Sequence, residues 1–131
     1  MNRPLTEIEL FQASMMIGES NFNLFTSLVT LLFGYLVLAH FVGQGLPRFI
    51  ALTTTIIYSV FTLMSLWAWW NNWGISFGLC YLYGDLYPNG ALMSGCEGDA
   101  PAVPWIRIII TAPAVIAWLS SVLYMHAYMR K

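Results

Sequence analysis

The sequence predicts an all-α integral membrane protein. It has three transmembrane helices, a short N-terminal amphipathic helix, and an extracytoplasmic loop or cap between helices two and three. Three observations carry this prediction. Apolar residues make up 59% of the chain and charged residues 8%, against about 25% charged in ordinary soluble domains. A soluble domain of 131 residues leaves too much of its area in water to hide so much apolar surface. No charge occurs from Ser20 to Pro47, from Phe49 to Gly84, or from Ile108 to Met129, and a helix needs about 20 apolar residues to cross the hydrocarbon core.

The elements run in order along a single membrane domain. Thr6 with Glu9 three residues on is a capping box, the signature of a helix start. Ile8, Phe11 and Met15 then recur at helical spacing, so residues 6–20 read as a helix lying on the membrane or standing above it. Gly18 and the polar stretch "ESNFN" favour a break before the first span. That span covers 22–42, a short cytoplasmic loop 43–48, the second span 49–70, the outer loop 71–104 and the third span 106–128.

The first span does not read as a cleaved signal. Glu7, Glu9 and Glu19 precede it against one Arg3, and "LAHFVG" offers no small-x-small site. Basic residues near span ends bias a segment toward the cytoplasm. Arg48, Arg130 and Lys131 fall on one side, Arg3 and Arg107 on the other, and all six acids lie in the N-terminal segment or outer loop. The expected threading is N-terminus outside and C-terminus cytoplasmic, in a cell membrane of the bacterial inner-membrane kind.

The run "SLWAWWNNWG" places Trp67, Trp69, Trp70 and Trp73 at the outer end of the second span, with Trp105 opening the third at the same level. Indole prefers the headgroup zone because its body is apolar and its N–H wants a partner. The cluster reads as an aromatic belt, with a stacking platform for a ligand or pigment as the alternative. Arg107 opposes the dipole at the start of the third helix, and is expected to reach outward to lipid phosphate, Asp99 or Glu97.

In the outer loop, Pro88-Asn89-Gly90 is a turn signal flanked by Cys80 and Cys96. Both thiols facing an oxidising compartment predicts one disulfide closing that turn. Within the spans, Thr26, Thr30 and Gly34, then Ala51, Thr55, Ser59 and Thr62, then Ala114, Ala117 and Ser121 form small-residue faces where helix backbones can approach. Pro113 predicts a kink in the third helix.

The formal net charge of −1 argues against a nucleic-acid partner. Secondary transport is disfavoured, because no ionisable group sits at mid-depth in a span. The sequence holds no nucleophile elbow, phosphate-cradling loop or metal motif, so an enzyme acting alone is not expected and no cofactor is predicted. The preferred reading is a structural or accessory subunit, whose partners are the lipid bilayer and other membrane subunits or further copies of itself. A second reading takes His40 and His126, at comparable depth on spans one and three, as axial ligands of a haem b. In length and paired histidines the chain resembles three-span haem-binding anchor subunits of respiratory complexes. A third reading is a pore-forming oligomer. In topology the chain resembles one class of phage holins, though its outer loop is longer than theirs and its cytoplasmic tail is only a few residues.

Overall fold

A computed structural model describes residues 5–42, 45–93, 96 and 103–129. The described chain is all-helical, with α1 at Glu7–Val42, α2 at Arg48–Leu86 and α3 at Val103–Met129. All three helices are long and apolar enough to cross a membrane. Their outer surfaces carry large apolar side chains in the open, among them Phe33, Phe41, Phe49, Phe61, Ile109 and Leu123. That pattern suits hydrocarbon surroundings and would be costly in water.

The helix α1 starts where the capping box predicts. The Thr6 backbone N–H donates to Glu9 Oε2 at 2.7 Å, and the Glu9 N–H donates to Thr6 Oγ1 at 3.3 Å. Beyond this first turn the chain differs from the expected short surface helix. No break occurs at Gly18, and α1 continues without interruption through Val42. Ile8 and Met15 stand exposed rather than forming a buried face with Phe11. The second helix likewise does not stop at Trp70. The segment 71–86, expected from sequence to be loop, is helical to Leu86.

The two corrections share one cause. From Trp69 onward, Trp73, Ser76, Cys80, Tyr83 and Tyr87 recur at alternating spacings of four and three, which is the heptad rhythm of a helix–helix seam. On α1 the partly or fully buried residues Glu7, Leu10, Ser14, Ile17 and Asn21 keep the same rhythm. A glycine inside a helix costs about 1 kcal/mol, and side-chain packing along the seam offsets it. The seam is antiparallel. Asn72 Nδ2 donates to Ser20 Oγ at 2.9 Å, and Tyr87 OH donates to the Leu5 carbonyl at 2.6 Å. These halves of α1 and α2 form a two-helix stalk projecting roughly 20 Å past the start of α3, at 1.5 Å per residue.

Below the stalk the three helices share one core of Tyr35, Ala39, Tyr58 and Met125, with Leu31, Trp118 and Val122 against it. The Tyr35 and Tyr58 rings stack at 4.0 Å. Polar links cross this core. Tyr35 OH meets Thr55 Oγ1 at 2.8 Å and Tyr58 OH meets Ser121 Oγ at 3.0 Å. Thr55 gives its own proton to the Ala51 carbonyl and Ser121 gives its to the Trp118 carbonyl, so each tyrosine is the donor. Trp118 Nε1 completes the chain by donating to Ser59 Oγ at 3.2 Å. The helix α3 continues through Pro113, whose missing N–H leaves the Ile109 carbonyl without its intrahelical partner.

Candidate functional site

The small-residue faces divide. Ala51, Thr55 and Thr62 on α2 and Ser121 on α3 are buried, while Ser59, Ala114 and Ala117 are half-buried. The face of Thr26, Thr30 and Gly34 is exposed instead. Its hydroxyls turn back to their own helix, Thr26 onto the Phe22 carbonyl at 3.0 Å and Thr30 onto the Thr26 carbonyl at 2.8 Å. The reason is rotational: α1 presents Leu31, Tyr35 and Ala39 to the core, which carries that stripe to the outside.

Near the end away from the stalk, α1 and α3 touch through His40 Nδ1 and Tyr124 OH at 3.1 Å. In their stalk-side halves a half-enclosed cavity of about 510 Å³ lies between them. Phe25, Leu28 and Leu32 form the α1 wall, Ile110, Pro113 and Ala117 the α3 wall, and Thr62, Trp69 and Trp73 the floor on α2. The volume falls in the roughly 300–1,000 Å³ range of small-molecule sites. It exists because the α3 wall is thin: Pro113, Ala114 and Ala117 all line it, and none carries a long side chain.

Trp69 and Trp73 are therefore not simple belt residues. They sit edge to face at 6.0 Å, Phe25 lies 6.2 Å from Trp69, and Phe77 lies 5.8 Å from Trp73. Trp67 and Trp105 face outward, at 72% and 68% exposure. A second groove of about 390 Å³ shares Phe25, Trp69 and Trp73 with the cavity and continues to Ser14, Asn21 and Ser76. Around these two spaces the polar groups are incompletely paired. Among the described residues, Thr62 Oγ1, Asn21 Oδ1 and the Nε1 atoms of Trp69 and Trp73 are buried without a hydrogen-bond partner, each at a cost of about 1–3 kcal/mol.

Arg107 does not reach outward. Its Nη2 donates to the Trp70 carbonyl at 2.6 Å and its guanidinium carbon lies 4.2 Å from the centre of the Trp70 ring. Gly74 makes the seat, since a Cβ there would stand 2.8 Å from Nη2. Cation–π attraction and a charge-assisted hydrogen bond outweigh the unfavourable dipole at the start of α3. The acids expected as its partners, Glu97 and Asp99, lie outside the described residues, as do Arg130 and Lys131 of the tail.

At the stalk tip Cys80 and Cys96 form a disulfide, as predicted. It ties the segment after Pro88-Asn89-Gly90 back onto α2, and Gly84 leaves room for the Cys96 carbonyl. Tyr83 OH donates to Glu7 Oε1 at 2.5 Å, and the Leu92 N–H points at both oxygens, 3.2 Å from Tyr83 and 3.4 Å from Glu7. Gly90 packs directly on the Tyr83 hydroxyl. The Tyr83 hydroxyl bond holds the Glu7 carboxyl below its ordinary pKa, aided by the Leu92 and Ala91 N–H groups and opposed by burial. Burial, reinforced by Glu7, pushes the Tyr83 phenol up.

The two histidines do not converge. His126 Nδ1 meets the Val122 carbonyl of its own helix at 3.2 Å. At about 100° per residue, His126 lies on nearly the opposite side of α3 from Tyr124, the residue that meets His40. Among the described residues no three His, Cys, Asp or Glu side chains gather as metal ligands.

The class this fold and cleft define is a three-helix bundle of membrane-spanning length, carrying a disulfide-tied two-helix stalk and a cavity between its first and third helices. No family of known proteins, no curated protein and no solved structure matches the chain.

Proposed function

We propose that this chain is an integral membrane protein that binds a lipid-soluble ligand between α1 and α3, entering sideways from the bilayer. The observation that carries the reading is the apolar cavity of about 510 Å³ whose floor holds Thr62, 4% exposed and with no partner for its hydroxyl among the described residues. In this reading the stalk stands on the side away from the cytoplasm, which the disulfide supports because such bonds persist in oxidising compartments. The protein acts as an accessory subunit of a membrane assembly or as a homo-oligomer rather than as an enzyme. The exposed face of Thr26, Thr30 and Gly34 supports that role, since small residues let a further helix approach closely.

The test is purification in mild detergent, then extraction and mass spectrometry of what stays bound. One apolar molecule per chain, enriched over bulk lipid and displaced by Ala117→Phe, is the expected outcome. Bound lipid identical in composition to the bulk, unchanged by Ala117→Phe, would overturn the reading. Native electrophoresis of the same sample tests the accessory role, which a strictly monomeric species would rule out.

A further inference from the structure

Resting on that binding reading, we propose the chemical class of the ligand: a neutral amphiphilic alcohol. Its hydrocarbon part enters the cavity from the bilayer with only part of its length inside, and its hydroxyl sits in the neighbouring groove, among Asn21, Trp69 and Trp73. Phe25, Trp69 and Trp73 line both spaces. In this proposal one molecule spans the two, from the apolar wall of the cavity to a wall bearing Ser14, Asn21 and Ser76.

The unpaired groups define the head. Asn21 is 7% exposed, and its side-chain oxygen is an acceptor with no donor. The indole nitrogens of Trp69 and Trp73 are donors with no acceptor. A hydroxyl is donor and acceptor at once, so a single head of that kind serves the Asn21 oxygen and one indole N–H together. A carboxylate, acceptor-only, leaves Asn21 unsatisfied, and a carboxylate or a phosphate alike brings a charge needing a cation nearby. Among the described residues no basic side chain lines either space. The nearby cation on the chain, Arg107, lines neither space: its Nη2 donates to the Trp70 carbonyl and its guanidinium lies over the Trp70 ring, with Nε unpaired among the described residues.

The experiment titrates the full-length chain, in detergent, with three probes sharing the same chains: dioleoylglycerol, its acetate ester and dioleoyl phosphatidic acid. Adducts are counted by native mass spectrometry. The expected result is one saturable dioleoylglycerol per chain, with the ester and the phosphatidic acid each bound about tenfold more weakly, a difference of about 1.4 kcal/mol. Asn21→Leu weakens dioleoylglycerol about fivefold and leaves the other two probes unchanged, and circular dichroism confirms that the variant stays helical. If the ester or the phosphatidic acid binds as tightly as the alcohol, the head-group assignment is wrong while the cleft reading stands. If no probe saturates and Ala117→Phe changes nothing, the cleft reading falls and the assignment with it.

Discussion

Tyr83 and Glu7, 76 residues apart in sequence, meet at 2.5 Å where the last turns of α2 cross the first turn of α1. The bond closes the stalk at its tip and gathers the Leu92 N–H and the glycine turn around it. It also gives the stalk a pH dependence of definite sign. Glu7 has a lowered pKa in the folded chain, with the Tyr83 hydroxyl bond as the leading cause. Its contribution is therefore fully present above the unfolded carboxyl value of about 4.3, and is lost as pH falls through the lower folded value. Amide exchange at Leu92, corrected for the intrinsic rate, is expected to accelerate below that value. Tyr83→Phe is expected to raise exchange at neutral pH and flatten the acid response. Leu92 protection that stays constant on acidification all the way to the point where the helices themselves unfold would contradict the assignment.

Arg107 and Gly74 act as a unit, because the guanidinium occupies space that any larger residue at 74 would fill. Gly74→Val displaces the flexible end of Arg107 from the Trp70 carbonyl and ring. Arg107→Ala removes the same contacts directly. Each is expected to destabilise by about 1–2 kcal/mol, the scale of a partly desolvated cation–π contact with a charged hydrogen bond. The double variant is expected to cost no more than the worse single one, read from thermal melting in detergent. Additive losses would show that Arg107 is not seated on Gly74 in the folded protein.

How much of this is legible in the sequence depends on the range of the physics involved. The three apolar helices, the capping box at Thr6 and the Cys80–Cys96 bond all rest on composition or local pattern, and the residues state those outright. The stalk is harder to see, because Asn71, Asn72 and three glycines look like loop. The alternating spacing from Trp69 to Tyr87 is the available signal, and no proline interrupts the helix before Pro88. Which face of α1 packs inward is not legible, since Thr26/Thr30/Gly34 and Leu31/Tyr35/Ala39 are both credible seams and only the partner helices choose. The cavity is hidden for the same reason: it is set by what α1 and α3 leave unfilled between them.

The disulfide joins Cys80 to a residue 16 positions on. In the chain-entropy account, closing a loop of about that length is worth about 3 kcal/mol. Cys80→Ser with Cys96→Ser is expected to lower the melting temperature and expose the stalk tip to protease near Pro88. The lower bundle should keep its helicity, because none of its core residues lies within the closed loop. Unchanged protease resistance after reduction would mean that the Glu7–Tyr83 contact holds the tip alone.

The mid-bundle link between Tyr58 and Ser121 offers a test of how α2 and α3 hold together. Tyr58 is the donor, because Ser121 already gives its proton to the Trp118 carbonyl. Tyr58→Phe keeps the ring that stacks on Tyr35 and removes only the hydroxyl, leaving Ser121 still bonded within α3. The loss should therefore be small, about 0.6 kcal/mol and at most about 1.7, the span of interhelical hydrogen bonds in membrane bundles. Ser121→Ala is the harsher change, since it strands a buried phenol that has no other partner among the described residues. It is expected to cost about 1–3 kcal/mol, and combining it with Tyr58→Phe should recover most of that loss. Melting temperatures of the four proteins in one detergent decide the matter. If Tyr58→Phe proves as damaging as Ser121→Ala, the phenol has a second role and the donor assignment must be abandoned.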